Sequence, residues 1–389
     1  MNFDMPEHIK PLRKQVRAFI EERVYPVENL LDERDHPDSR PALKRLMQEA
    51  KDAGLWALGH PKEIGGGGLP FMDYVLVNEI VGRSEHAMIA LGTHSLQDSI
   101  MLNLYASPQW RDRYLRPLVD GDVFPSFAMT EPDVASSDPT QLKTHAELNG
   151  GEWVINGRKW FTTGAAMAAY TTVMCRTEPG VEGHRAFSMI IVPTDTPGYK
   201  ILRETPMLGV SGGHYEVDYD NVRVPAENLL GDRGEGFVIA QRRLGPGRIF
   251  HCMRWLGQAQ RAFELMCARA KDRVAFGSPL AEKQSIQNMI FETAAEIRAT
   301  RLLTLDAAHK LDKGDPARIE IGIIKVVGAR MLHNAIDRAI QVHGAKGLTD
   351  DTPLSRMYRN ARAGRVYDGP DEVHQVSVAK LLLKGEGAV

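Results

Sequence analysis

Apolar positions recur at helical spacing through the first third of the chain. Leu12, Val16, Phe19 and Ile20 share one face across His8–Glu22. Pro41-Ala-Leu-Lys-Arg-Leu-Met-Gln-Glu-Ala-Lys-Asp-Ala-Gly54 has proline in its first turn and glycine at its end, the start and stop of a helix. Residues 8–125 read as helical. Glu63-Ile-Gly-Gly-Gly-Gly-Leu-Pro70 interrupts them as a loop. No Lys-Ser/Thr follows it and no strand clearly precedes it, which argues against a phosphate-cradling P-loop.

From about Ser126 the period shortens. Thr144-His-Ala-Glu-Leu148 and Trp153-Val-Ile155 are strands joined by Asn149-Gly-Gly-Glu152, a turn that favours positive φ, and Asn156-Gly157 is a second such turn. Ala169–Cys175, Ala186–Val192, Gly198–Leu202 and His214–Val224 are further strand candidates. After Gly234-Glu-Gly236 long helical patterns return over Arg248–Arg273, Leu280–Leu311 and Pro316–Gln341, broken at Gly314-Asp-Pro316. The expected fold is mainly α with a central β-domain. Its expected parts are an N-terminal helical domain (1–125), a middle β-domain (126–235) and a C-terminal helical domain (236–389).

Composition adds exclusions. The 389 residues suffice for two or three domains, and 43% hydrophobic with 25% charged residues is ordinary for a globular protein. Lys+Arg 48 against Asp+Glu 50 leaves a net charge of −2, so no global basic field points to nucleic acid. The local run Arg356, Arg359, Arg362 and Arg365 reads as a polar helix face or a phosphate contact. Cys175, Cys252 and Cys267 have no metal-ligand spacing, so free thiols and no metal are expected. No apolar run approaches the ~20 residues of a membrane span, and the N-terminus lacks a secretory pattern. A soluble, cytoplasmic protein is the expectation.

Four short motifs carry candidate chemistry. Phe127-Ala-Met-Thr-Glu-Pro-Asp-Val-Ala-Ser-Ser-Asp138 places the hydroxyls of Thr130, Ser136 and Ser137 beside turn amides. That set suits a flavin edge and pyrophosphate, and equally a capped turn opening a domain. Gly157-Arg-Lys-Trp-Phe-Thr-Thr-Gly164 follows, where Phe161 alone would count as strand packing. Arg273-Val-Ala-Phe-Gly277 offers a guanidinium whose planar fork matches pyrophosphate, with Gln284 eleven residues beyond Arg273. Last comes Gln341-Val-His-Gly344, then Arg365-Val-Tyr-Asp-Gly-Pro-Asp-Glu-Val-His374, whose Asp-Gly-Pro-Asp is also good turn chemistry.

In order and spacing these motifs resemble those of the acyl-CoA dehydrogenase family over nearly the whole chain. The resemblance implies an N-terminal helical domain, a barrel-like middle domain and a C-terminal four-helix bundle. It implies FAD as cofactor, with Phe127, Met129, Thr130, Ser136, Phe161 and Thr163 at the flavin. Arg273, Phe276, Gln284, Gln341 and Gly344 would reach the FAD of a neighbouring subunit in a homodimer or homotetramer; Pro370 and Glu372 also belong to the cofactor set. Ser136, Arg248, Tyr367 and Gly369 would contact an acyl-CoA substrate. Ala135 stands where the family has glycine, Ser137 where it has aspartate, Phe161 where it has tryptophan, and Asp368 where most members have glutamate.

In that family the carboxylate removes the α-proton of the thioester while the β-carbon gives hydride to flavin N5. Electrons then pass to an electron-transfer flavoprotein, as in fatty acid β-oxidation. Aspartate is one methylene shorter, and a retreat of about 1 Å costs on the order of 10²-fold if uncompensated. Some members carry the base just before the conserved arginine; that position is Gly247 here, which leaves Asp368 as the candidate. His251, nearby, reads as a packed histidine. The phrase Asp-Gly-Pro-Asp-Glu-Val-His also resembles a family branch found fused to a kinase-like domain. That branch is linked to 4-hydroxyacyl-CoA breakdown through a 4-phosphoacyl-CoA, and no kinase-like segment is read in these residues. A flavin monooxygenase of the same fold and a non-enzymatic flavoprotein module are the rival expectations.

Overall fold

The structure, a computed structural model, describes residues 5–387. Its longer helices are α1 (Lys10–Phe19), α2 (Ser39–Asp52), α3 (Phe71–Val81), α4 (Leu96–Tyr105), α5 (Gly236–Asp272), α6 (Gln284–Asp312), α7 (Arg318–His343), α8 (Leu354–Ala361) and α9 (Asp371–Leu383). Between α4 and α5 lie β1 (Phe124–Ala128), β2 (His145–Asn149), β3 (Glu152–Thr163), β4 (Ala168–Arg176), β5 (Phe187–Pro193), β6 (Tyr199–Glu204), β7 (His214–Pro225) and β8 (Leu229–Leu230). Two compact units result. The helical unit takes in the described residues up to Trp56, then Leu69–Leu91, and everything from Gly245 onward; the sheet unit takes in Ala57–Gly68 and Gly92–Leu244.

In the helical unit α3 is apolar nearly all round, and every residue from Tyr74 to Val81 is buried. Its polar members find partners inside: Asn78 donates to the Phe250 carbonyl at 2.9 Å, and one oxygen of Glu79 pairs with Arg301 at 2.8 Å. The helices α3 and α5 meet backbone to backbone. A Cβ on Gly257 would lie 2.0 Å from the Glu79 carbonyl oxygen, and one on Gly82 would lie 2.2 Å from Arg254 Cα. Only glycine permits that approach, and it sets the depth of the α5 segment carrying Arg248, His251 and Arg254. On α7, Ile321, Ile324, Gly328, Leu332, Ala335 and Ala339 form a buried stripe, against which α6, α8 and α9 pack.

The sheet unit is built on the order β6-β7-β3-β2-β4-β5-β8, with β1 added parallel to β4. Strands β4 and β5 are buried almost residue for residue because both their faces are covered. Tyr170, Met174, Phe187, Met189 and Ile191 face a cluster with Leu102, Trp110, Tyr114 and Leu118. Val173, Cys175, Ile190 and Val192 face the other, with Trp153, Ile155, Val217 and Tyr219.

Three local features depart from the sequence pattern. β1 was not expected as a strand: its Phe-Pro-Ser-Phe-Ala holds a proline and no clear alternation, and its parallel partner lies 44 residues on. The helix expected from Arg248 begins instead at Gly236 and runs through Gly245-Pro-Gly247. Buried residues on both sides of that weak stretch, Ile239 and Ala240 before it and Ile249 and Phe250 after it, override its poor propensity. Leu280–Glu282 forms a separate 3-10 turn, so α6 starts at Gln284. Among the described residues the cysteines are free, no acidic, histidine or cysteine cluster could hold a metal, and no helix is long and apolar enough to cross a membrane.

Candidate functional site

In the sheet unit the site begins with a buried ion pair. Lys159 Nζ, wholly buried on β3, donates to the Met129 carbonyl at 2.8 Å and to Glu131 Oε1 at 2.9 Å. The Glu131 carboxylate also accepts the backbone N–H groups of Lys143 and Thr144 at 2.8 and 2.9 Å. Burial alone would raise the Glu131 pKa, but Lys159 and these amides outweigh it and hold the group below its ordinary value. The Thr-Glu-Pro turn is therefore fixed to β3. Trp160 N–H donates to the Thr130 carbonyl at 3.0 Å, and Ser136 Oγ accepts from Glu131 N–H at 2.9 Å. The Ser136 hydroxyl thus closes the turn. Half-buried Phe127 lies under the Arg243 guanidinium, 4.6 Å from ring centroid to carbon, and Arg243 pairs with Asp98 at 3.0 Å.

Beyond Lys159 the β3–β7 register shifts, and Phe161 takes a φ of 50° with its ring exposed. A bulky residue in the left-handed region costs energy and persists where the surroundings impose it, commonly at ligand sites. Thr163 follows, exposed, its Oγ1 2.8 Å from Nδ1 of His214, its partner in register on β7. Trp160 Nε1 and Thr162 Oγ1 are buried without a partner within the protein. An exposed aromatic ring with a hydroxyl beside it forms a surface that fits a flat heteroaromatic cofactor.

In the helical unit the centre is Asp368. It takes a φ of 54°, followed by Gly369 at 98°, and the resulting tight turn runs through Pro370 into α9. The Asp368 carbonyl oxygen accepts from Arg248 Nε and Nη2 at 3.1 and 3.0 Å and from His374 Nε2 at 3.0 Å. A Cβ at Gly369 would sit 2.8 Å from His374 Nε2, so glycine there clears the histidine's path. Lys325, buried on α7, donates to the carbonyls of Gly364 and Gly369 at 2.7 and 3.1 Å and brackets the loop. Trp255 Nε1 donates to the Tyr367 hydroxyl at 3.1 Å, and burial pushes that phenol's pKa up. Buried Asp371 takes Arg365 Nε at 2.9 Å and Arg330 Nε at 3.2 Å on one oxygen.

The Asp368 carboxylate itself meets His251, with Oδ2 3.2 Å from Nε2. On the other side of the ring Arg254 Nη2 lies 2.9 Å from His251 Nδ1. Burial, then Arg254, lowers the His251 pKa against the pull of Asp368. The structure brings Arg248, Tyr367, Asp368 and Gly369 together, and Arg248 spends its bonds on the Asp368 main chain. Sequence reasoning gave His251 no role and did not name Arg254, Lys325 or His374 as part of the site. The spacing of Arg248, His251 and Arg254, three apart on one helix, is the signal that was there to use.

Arg273, Phe276, Gln284, Gln341, Gly344 and Glu372 are all exposed in the single chain, and Phe276, at a φ of 50°, is fully so. Pro370 is half-buried at the start of α9.

The helical unit thus presents a fixed carboxylate turn, and the sheet unit an exposed, strained aromatic. Three family models match in succession: acyl-CoA dehydrogenase N-terminal domain over residues 6–122, middle domain over 126–222 and C-terminal domain over 234–383. The chain belongs to the acyl-CoA dehydrogenase family and is an FAD-binding oxidoreductase. It is 45% identical to a probable acyl-CoA dehydrogenase FadE2 of Mycobacterium tuberculosis, covering 99% of this chain and 98% of that one. It is 40% identical to acyl-CoA dehydrogenase family member 11 of Rattus norvegicus, but spans only 49% of that protein's length. A solved structure of a putative acyl-CoA dehydrogenase from Mycobacterium abscessus matches with a TM-score of 0.93 and 39% identity, over 98% of this chain and 100% of that one.

Proposed function

We propose that the protein catalyses α,β-dehydrogenation of an acyl-CoA thioester, with Asp368 as the base. The observation that carries this reading is the Asp368 turn: three donors hold its carbonyl oxygen, and its carboxylate stays partly exposed at the end of that clamp. The Asp368 carboxylate takes the α-proton, a hydride leaves the β-carbon, and the product is the enoyl thioester. Bound FAD supplies the acceptor for that hydride. Phe127, Met129, Thr130, Phe161 and Thr163 would hold the flavin, with Ser136 shaping the turn that presents them. Arg248, Tyr367 and Gly369 would shape the substrate end.

Exposure of Arg273, Phe276, Gln284, Gln341 and Gly344 supports their serving the FAD of a neighbouring subunit, as in a homodimer or homotetramer. With Pro370 and Glu372 they complete the proposed cofactor set. We keep 1–125, 126–235 and 236–389 as the functional domains, and an electron-transfer flavoprotein as the external acceptor. The Asp-Gly-Pro-Asp-Glu-Val-His phrase supports a second reading, an acyl chain bearing a polar substituent such as a 4-hydroxyl or 4-phosphate.

The test is anaerobic bleaching of the flavin's visible absorbance by acyl-CoA esters of increasing length, beside their 4-substituted counterparts. Fast bleaching by plain chains supports the first reading, and bleaching confined to substituted chains supports the second. A flavin-loaded protein that no ester bleaches sinks both.

A further inference from the structure

The structure assigns His251 and Arg254 a joint task as positioning residues: Arg254 locks the His251 ring so that its Nε2 proton holds the Asp368 carboxylate in place. This rests on the reading of Asp368 as base. The chain of contacts is short, running from Arg254 Nη2 to His251 Nδ1 at 2.9 Å and from His251 Nε2 to Asp368 Oδ2 at 3.2 Å. A guanidinium can only donate, so the Nδ1 it meets carries the lone pair. The proton of a neutral imidazole then sits on Nε2, which faces the carboxylate. One tautomer satisfies both contacts.

Position on the fold adds to this. Arg248, His251 and Arg254 succeed one another on one side of α5. Arg248 grips the Asp368 carbonyl oxygen and His251 grips its carboxylate, so one helix holds both ends of the residue. With its main chain clamped, a carboxylate shortened by one methylene has its reach set by side-chain rotation alone. A donor on Oδ2 fixes that rotation, which compensates for length by reducing the conformations the base must sample.

Burial, Arg254 and Lys325 oppose protonation of His251 and outweigh Asp368, which favours it. Arg254 lies on the histidine's own helix and Lys325 comes from α7. Asp368 and Tyr367 come from the loop, and Trp255 stacks at 5.9 Å. A second ring proton would point at Arg254. The α-proton therefore goes to Asp368 and stays there, while the His251 Nε2 proton remains on the ring throughout.

The flavin-loaded enzyme and three variants test this. With an acyl-CoA that bleaches the unaltered protein, His251→Ala is expected to slow flavin reduction on the order of 10²-fold, the cost of about 1 Å of misplacement, with ester affinity changed little. His251→Gln, whose amide nitrogen donates from nearly the same place, is expected to recover most of that loss. Arg254→Met releases Nδ1 and removes one of the influences that keep the ring neutral, so reduction should gain an acid limb at higher pH than any shown by the unaltered enzyme. His251→Ala reducing as fast as the unaltered protein overturns the assignment. So does His251→Gln as slow as His251→Ala at equal flavin content, or Arg254→Met with no acid limb.

A second readout needs no substrate. In 15N-histidine spectra of the flavin-loaded protein, the signal missing from His251→Gln should be a neutral ring protonated at Nε2 from about pH 7 to 8. The opposite tautomer, or titration in that range, overturns the inference. If no ester bleaches the flavin, the proposed reaction fails, and this spectrum still decides the tautomer.

Discussion

Glu131 and Asp368 are both carboxylates set among cations, and the protein holds them at different atoms. Glu131 is held at the carboxylate itself, by Lys159 Nζ and two backbone amides, and its side chain is 5% exposed. Asp368 is held chiefly at its carbonyl oxygen, by Arg248 and His374, while its carboxylate takes His251 and is 21% exposed. Saturating a carboxylate with buried donors commits its charge to structure. Clamping the main chain instead fixes where a carboxylate stands and leaves its charge for chemistry. The same residue class thus builds the Thr-Glu-Pro turn in one unit and the proposed base in the other.

Removing each charge should break the comparison in opposite ways. Asp368→Asn is expected to slow flavin reduction by acyl-CoA about 10³-fold, within the range for a general base, with flavin content and melting temperature preserved. A variant that bleaches within a few-fold of the parent would remove Asp368 from the mechanism. Glu131→Gln should do the reverse. It strands Lys159 in the core, and breaking a buried pair costs about 3–5 kcal/mol, so denaturant midpoint and flavin content both fall. Unchanged stability would show that the pair is not what holds the turn.

Acid should separate the units more gently. His60 and His94 in the sheet unit, and His374 beside Asp368, are each held by burial from an ordinary 6.5 down to about 4. A histidine with a depressed folded pKa is neutral when folded while its unfolded form binds a proton, so stability is whole above pH 6.5. It is lost as pH falls towards 4, by about 2 kcal/mol per group at pH 5. His60 and His94 repel when charged, so their contributions are coupled. Denaturation at pH 7 and pH 5 checks this, and His94→Gln should shrink the difference. An equal difference in that variant would place the acid sensitivity elsewhere.

What could be read from the chain follows from how local each cause is. Strands β2 to β7 show in turn residues and in short runs, alternating or, for β4 and β5, continuously apolar, because neighbours along the chain decide them. Strand β1 did not show, since it depends on pairing with β4. Asp368 and Arg248 came from separate motifs, and the contact that joins them spans 120 residues. His251 could have been read from its spacing to Arg248 and Arg254, but Lys325 could not. It reads as a polar interruption of a helix, and only the folded chain shows it capping two carbonyls of the Asp368 loop. Glu131 and Lys159 lay inside quoted motifs, yet nothing local says that their charges meet in the core.

The smallest change sharpens the comparison most. Asp368→Glu restores the residue most of the family carries and keeps the charge. Were the aspartate a neutral drift, the longer carboxylate would match or exceed the parent. The clamp argues otherwise, because Arg248 and His374 hold the carbonyl oxygen and the backbone cannot retreat to make room. The added methylene drives the carboxylate past the point where Oδ2 meets His251 at 3.2 Å. About tenfold slower flavin reduction is expected, a smaller loss than removing the charge, because the base remains but leaves its aligned position. Combining Asp368→Glu with His251→Ala should then cost less than the two losses multiplied, since the second change clears the space that the first invades. Strictly multiplicative losses would mean that the carboxylate and the imidazole act independently. An Asp368→Glu enzyme faster than the parent would mean that the shorter base is not matched to this site.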